Sequence, residues 1–146
     1  MILTGKEILK QVRKGNIKIE PFNIEDIENN SYDFHIDNTL KIYKNNELDS
    51  NKDNEMEEIS IPEEGLTLLP DKIYIGTTKE IIGSNKFVPI IKGRSSTGRL
   101  GIFVNITADL IDLGSIQKCT LMLHTVIPVK IYPNMKIGQV TFWVTK

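Results

Sequence analysis

ISIPEEGLTLLPDKIYIGTTKEIIGSNKFVPIIKG, Ile59 to Gly93, is the stretch that decides the fold. Its apolar runs are only a few residues long and are cut by Pro62, Gly65, Pro70, Gly76, Gly83 and Pro89. Short β-rich runs between turn residues, recurring every roughly 8–12 positions, read as the strands of a compact β-barrel or sandwich. The rhythm continues through Gly93, Gly98, Gly101, Gly114, Pro128, Pro133 and Gly138 into the strand-like IGQVTFWVT, residues 137–145. Composition agrees, with 23 Ile and 7 Val against the single alanine Ala108. β-Branched side chains suit a pleated, half-buried surface better than a helix.

Upstream, SYDFHID (Ser31–Asp37) alternates Tyr32, Phe34 and Ile36 with Asp33, His35 and Asp37, a strand with one buried and one polar face. Leu40–Tyr43 is expected to pair beside it. Asn45–Glu58 carries six acids against one lysine without apolar periodicity and reads as a mobile loop. The amino-terminal segment is the helical exception. Thr4 followed by Glu7 forms a capping-box pattern, Ile8, Leu9 and Val12 share a face, and Gly15 supplies a stop. A short strand at Ile17–Ile19 ends before Pro21, and the stretch to Asn30 reads as a loop or single turn.

At 146 residues the chain is expected to be one domain, residues 1–146, large enough to fold without staples. Its 18 basic and 19 acidic residues leave a net charge of -1, which argues against generic nucleic-acid binding. The lone cysteine, Cys119, excludes an internal disulfide and a Cys-rich zinc site, and reads as a buried hydrophobe. No apolar run approaches the roughly 18 residues of a membrane span. The start MILTGKEILKQVRKG mixes charge with apolar residues where a signal peptide is continuously apolar. A soluble cytoplasmic protein is expected.

The densest polar constellation is KGRSSTGRLG, Lys92 to Gly101, on a turn between two apolar strands. With two arginines and three hydroxyl residues between glycines, such a loop can offer guanidinium forks and backbone N–H groups to phosphate oxygens, although Ser, Gly and Arg are also ordinary turn residues. It is not a Walker loop, because no lysine follows the second glycine. In NITADLIDLGS, Asn105 to Ser115, Asp109 and Asp112 could bind a ribose hydroxyl or orient water, or simply close an Asx turn. His35 and His124 lack triad partners at a telling spacing and read as structural. No pair of histidines with a carboxylate forms a metal-ligand set.

Taken in order, the amino-terminal helix with GNIKIEPF, then SYDFHID, GRSSTGRLG, TADLIDLG, TLML and YPNMKIGQVTF, the chain resembles the dCTP deaminase branch of the dCTP deaminase/dUTPase superfamily nearly end to end. The resemblance implies a distorted antiparallel dUTPase-like β-barrel with an N-terminal helix, assembling as a homotrimer with nucleotide sites at the subunit interfaces. It implies that Arg94, Ser95, Ser96 and Arg99 hold phosphates and help place water, that Thr107 and Ala108 lie against the pyrimidine, and that Asp112 contacts the deoxyribose. Gln139 matches a family position in the last strand and is given no catalytic role.

Several positions depart from the family pattern. Met122 stands where the resemblance calls for the general-base glutamate, and a thioether cannot shuttle a proton near neutral pH. Ser115 and Gln117 stand where an aromatic residue and a glycine are called for, and His35 stands for an arginine. The family's closing carboxy-terminal segment has no counterpart beyond Lys146. These departures lead to the expectation of a catalytically inactive, deaminase-like protein that senses or sequesters a nucleotide, with Met122 making the pocket more apolar. The alternative is an active dCTP deaminase or a dUTP/dCTP pyrophosphohydrolase, with Asp112 orienting water and Mg2+ accompanying the triphosphate rather than binding tightly. A third reading is a protein-interaction barrel whose acidic loop 45–58 docks a partner. The Lys-, Asn- and Ile-rich composition fits a low-GC bacterium or its phage.

Overall fold

A computed structural model describes residues 1–146. Helix α1, Gly5–Arg13, is capped as its sequence requires: the Thr4 hydroxyl accepts from the Glu7 N–H at 3.3 Å. Its buried face carries Ile8 and also Gln11, which pairs with Glu7 and Asn16. Gly15 follows with φ +77°, the left-handed conformation that glycine adopts freely. After β1 (Ile17–Glu20), a 3-10 turn spans Ile24–Asp26.

The remaining strands are β2 (Tyr32–His35), β3 (Thr39–Tyr43), β4 (Met56–Ser60), β5 (Leu66–Leu68), β6 (Tyr74–Ser84), β7 (Phe87–Gly93), β8 (Ile102–Phe103), β9 (Gln117–Thr125), β10 (Val129–Ile131) and β11 (Lys136–Val144). A four-residue helix α2, Ser95–Gly98, lies between β7 and β8. Every strand pair is antiparallel. One sheet runs β4-β3-β6-β9-β8 with β1 also on β6, a second is β2-β11-β7, and β5 pairs with β10. This is the mainly β, distorted antiparallel barrel expected.

One contiguous core of 23 buried apolar residues fills the interior, with Tyr32, Phe34, Phe142, Leu121 and Leu123 among its largest fully buried side chains. Strand β9 shows why: Cys119, Leu121, Leu123 and Thr125 are buried, while Lys118 and Thr120 are exposed and Met122 and His124 half-buried. Successive strand side chains point to opposite faces, so one face of β9 enters the core and the other looks outward.

Three strand expectations need correction. β3 pairs with β4 and β6, whereas β2 pairs with β11. The acidic segment ends earlier than its composition suggests, because Met56–Ser60 is an edge strand whose charged side chains face solvent. The connection before it is folded back by Asp49 and Asn54, with the Asp49 N–H donating to Asn54 Oδ1 at 2.9 Å. Finally, Asp33 is only 2% exposed, so β2 is buried on both faces.

Candidate functional site

Burying Asp33 in a strand is costly unless a cation or donor meets it. Arg94, delivered from the end of β7, places its Nε 3.1 Å from Asp33 Oδ2. That contact pairs charge without a well-directed hydrogen bond, and Oδ2 has no other partner. Burial pushes the Asp33 carboxyl above its ordinary value, and Arg94 draws it back down. The guanidinium is thus fixed at its base by a buried carboxylate.

The rest of the loop is fixed equally from below. Thr97 is buried and its hydroxyl donates to the Ile137 carbonyl of β11 at 3.0 Å. Gln139 Nε2 donates to the Gly93 carbonyl at 2.8 Å, while its Oε1 accepts from the Ser31 hydroxyl at 2.7 Å. Gln139, assigned no role from sequence, therefore ties the start of β2 to the start of the loop. Pairing of β11 with both β2 and β7 brings these distant segments into register.

These residues enclose a wholly polar cleft of about 410 Å3 lined by Ser31, Asp33, Arg94, Ser95, Ser96, Arg99, Gln139, Glu28, Asn29 and Asn30. All four expected phosphate-loop residues meet here. Two guanidiniums, hydroxyls and amides around one space can donate to anionic oxygens. Glu28, Asn29, Asn30 and Ser31 escaped the sequence reading; only the Ser31–Asp37 motif hinted at them. No cluster of three or more His, Cys, Asp or Glu side chains forms a metal cage.

A second cleft, about 390 Å3, lies on the other side of Arg94 and Ser95 and adds Lys92, Gly93, Gly98, Ile102, Phe103, Val104, Asn105 and Asp109. Lys92 Nζ bonds Asp109 Oδ2 at 2.9 Å and holds that carboxyl below the usual carboxylate range. Besides that pair, the segment after Asn105 runs along β7 and β6 on backbone bonds: Ile91 N–H to Asp109 O, Ile111 N–H to Pro89 O and Gly114 N–H to Ser84 O, at 2.8, 3.0 and 2.8 Å. It packs so closely that a Cβ on Gly83 would strike the Ser115 carbonyl.

Thr107, Ala108 and Asp112 on this segment are exposed, and neither they nor Met122 line either cleft. Met122 is half-buried on the outer face of β9, its N–H bonded to the Val104 carbonyl at 3.0 Å. The expected site therefore gathers only in part within one chain. His35, on the same side of β2 as Asp33, belongs to neither cleft. A bulge in β6 between Thr77 and Ile81 turns Glu80 inward, and this buried carboxylate accepts from the His35 backbone N–H and meets its Nδ1 at 2.6 Å. Cys119 is buried, and burial pushes its thiol up to about 11, consistent with an inert core residue.

Residues 2–145 match the family model described as dCTP deaminase-like, and the chain belongs to that family. A protein of Clostridium botulinum strain Eklund 17B called dCTP deaminase, dUMP-forming, is 50% identical over 97% of this chain and 82% of its own length. The Clostridium beijerinckii protein of the same name is 46% identical with the same coverage. The crystal structure of 2'-deoxycytidine 5'-triphosphate deaminase from Agrobacterium tumefaciens superimposes with a TM-score of 0.76 at 18% identity, and the chain covers 48% of it, which establishes the dUTPase-like fold. No helix is long and apolar enough to cross a membrane.

These relatives overturn the expectation of a non-enzyme. That expectation weighed a few side-chain departures, Met122 above all, against a framework that is otherwise kept: the pairing of partly exposed Arg94 with buried Asp33 and the polar cleft beside it are in place.

Proposed function

We propose that the chain is a dCTP deaminase that carries its substrate through to dUMP, with ammonia and pyrophosphate as the other products. The observation that carries this reading is 50% identity, along 97% of the chain, to a protein called dCTP deaminase, dUMP-forming. The polar cleft supports it. Arg94 and Arg99, with Ser95 and Ser96, are the groups to grip the triphosphate, and Mg2+ arrives on the phosphate oxygens rather than in a protein cage. Thr107 and Ala108 face the pyrimidine, and Asp112 takes the deoxyribose and orients water for release of pyrophosphate.

In this reading the enzyme is a homotrimer. Leu100, Phe103, Ile106, Leu110 and Leu113 are 48–60% exposed on the very segments that flank the clefts. Five large apolar side chains exposed on these segments are suited to a cover, and a second copy placed there completes the site with Thr107, Ala108 and Asp112.

Purified protein incubated with dCTP and Mg2+ should yield dUMP, pyrophosphate and ammonia. Intact dCTP after prolonged incubation overturns the proposal, and dUTP as the end product restricts it to the deamination step.

A further inference from the structure

Replacing the amine of cytosine by oxygen requires a group that takes a proton from water and passes it on, since neither hydroxide nor the amide leaving group forms unaided near neutral pH. Most of the titratable side chains around the two clefts are not free to do this. Asp109, in the half-apolar cleft, is committed to Lys92; in the polar cleft Asp33 is committed to Arg94, and Glu28 is exposed among the groups proposed to meet the triphosphate. Met122, on the outer face of β9, has only a thioether. Two residues further along the same face lies His124, roughly 7 Å away at Cα.

His124 is half-buried, and its imidazole makes no hydrogen bond or ion pair within the chain. It stands in register opposite Phe103, with ring centroids 6.1 Å apart and planes tilted by 39°. Phe103 in turn lines the cleft that contains Arg94, Ser95 and Asn105. An uncommitted imidazole thus sits against the wall of the half-apolar cleft. Imidazole is also the side chain that most readily both takes and gives a proton near neutral pH.

From this juxtaposition we infer that His124 carries the protons of the deamination step, an inference that rests on the function proposed above. Water adds its hydroxyl to C4 while its proton passes through the imidazole to N3, whose double bond to C4 opens. The same ring then moves the hydroxyl proton to the exocyclic amine. The C4–N bond breaks, ammonia leaves, C4=O forms, and the imidazole returns to its neutral state.

The test measures ammonia release from dCTP and dCTP binding for wild type, His124→Gln and His124→Ala. Ammonia release should fall by about 10²–10⁴-fold in both variants, with dCTP affinity kept within about threefold. Added imidazole should restore part of the rate to His124→Ala alone, a rescue that a purely structural histidine would not give. Ammonia release within about threefold of wild type in a folded His124→Gln protein overturns the assignment and leaves the function intact. So does a lost rate that imidazole fails to raise when circular dichroism and dCTP binding show an intact protein. No ammonia from wild type sinks the function itself, and His124 with it.

Discussion

The loop Lys92–Gly101 and the segment Asn105–Ser115 border the same half-apolar cleft, yet they are held in different ways. The loop is anchored by side chains reaching into the interior: Arg94 to Asp33, Thr97 to Ile137, and Gln139 to Gly93. The segment rests on backbone bonds to β7 and β6, on the Asn105 side-chain amide donating to the Ile91 carbonyl at 3.1 Å, and on the solvent-facing pair Lys92–Asp109, while Thr107, Ala108 and Asp112 stay exposed. A group that must grip phosphate in a set direction profits from being organised before the ligand arrives. The segment is finished on one side only, and in the proposed enzyme its other side is supplied by a neighbouring copy.

Arg94→Ala should have the largest effect, because it strips the partner from a nearly buried carboxylate. We expect a loss of roughly 2–4 kcal/mol in unfolding free energy, discounted for the partial exposure of Arg94, together with loss of nucleotide binding. Urea unfolding and dCTP titration would read both, and unchanged stability would mean that Asp33 does not need its cation. Arg99→Ala sharpens the contrast: Arg99 is exposed, so stability should hold while dCTP affinity weakens by about 1.5–3 kcal/mol. Equal binding would remove Arg99 from the site.

Asp109→Asn addresses the other region. Its pair with Lys92 is a surface one, and the backbone bonds remain, so dCTP affinity should change by about twofold at most. A tenfold loss would show that the segment depends on this side-chain latch. The smallest effect belongs to a pair outside both regions. Lys118 bonds Asp37 at 2.7 Å and holds its carboxyl below the ordinary value. A depressed folded-state value stabilises the protein above the ordinary carboxylate range, and that stability is lost as pH falls through the folded value. Acid unfolding of Asp37→Asn should therefore lack this part of the slope; a profile identical to wild type would remove Asp37 from the acid response.

Much of this contrast is legible in the chain. Turn spacing announces the barrel, Thr4 and Glu7 announce the helix, and KGRSSTGRLG announces the polar loop that lines both clefts. What local pattern could not convey depends on partners far away in sequence. Asp33 reads as a polar-face residue until Arg94, brought by β7, buries it. Gln139 gains its place only because β11 lies between β2 and β7. MEEIS reads as part of an acidic loop because an edge strand can carry charge on both faces. Met122 reads as a missing function because one altered position is visible in sequence, while the lack of any partner for the His124 imidazole on the same strand face is not.

The central claim is that the two regions are halves of one site contributed by different copies. Co-expressing Arg99→Ala with Asp112→Asn, and measuring dUMP formation from dCTP, tests it most directly. Each variant alone should be nearly inactive. Mixed trimers should recover about a quarter of wild-type activity, because some interfaces then pair an intact loop with an intact segment. Mixed trimers no more active than their parents would place both halves in the same chain and contradict the account.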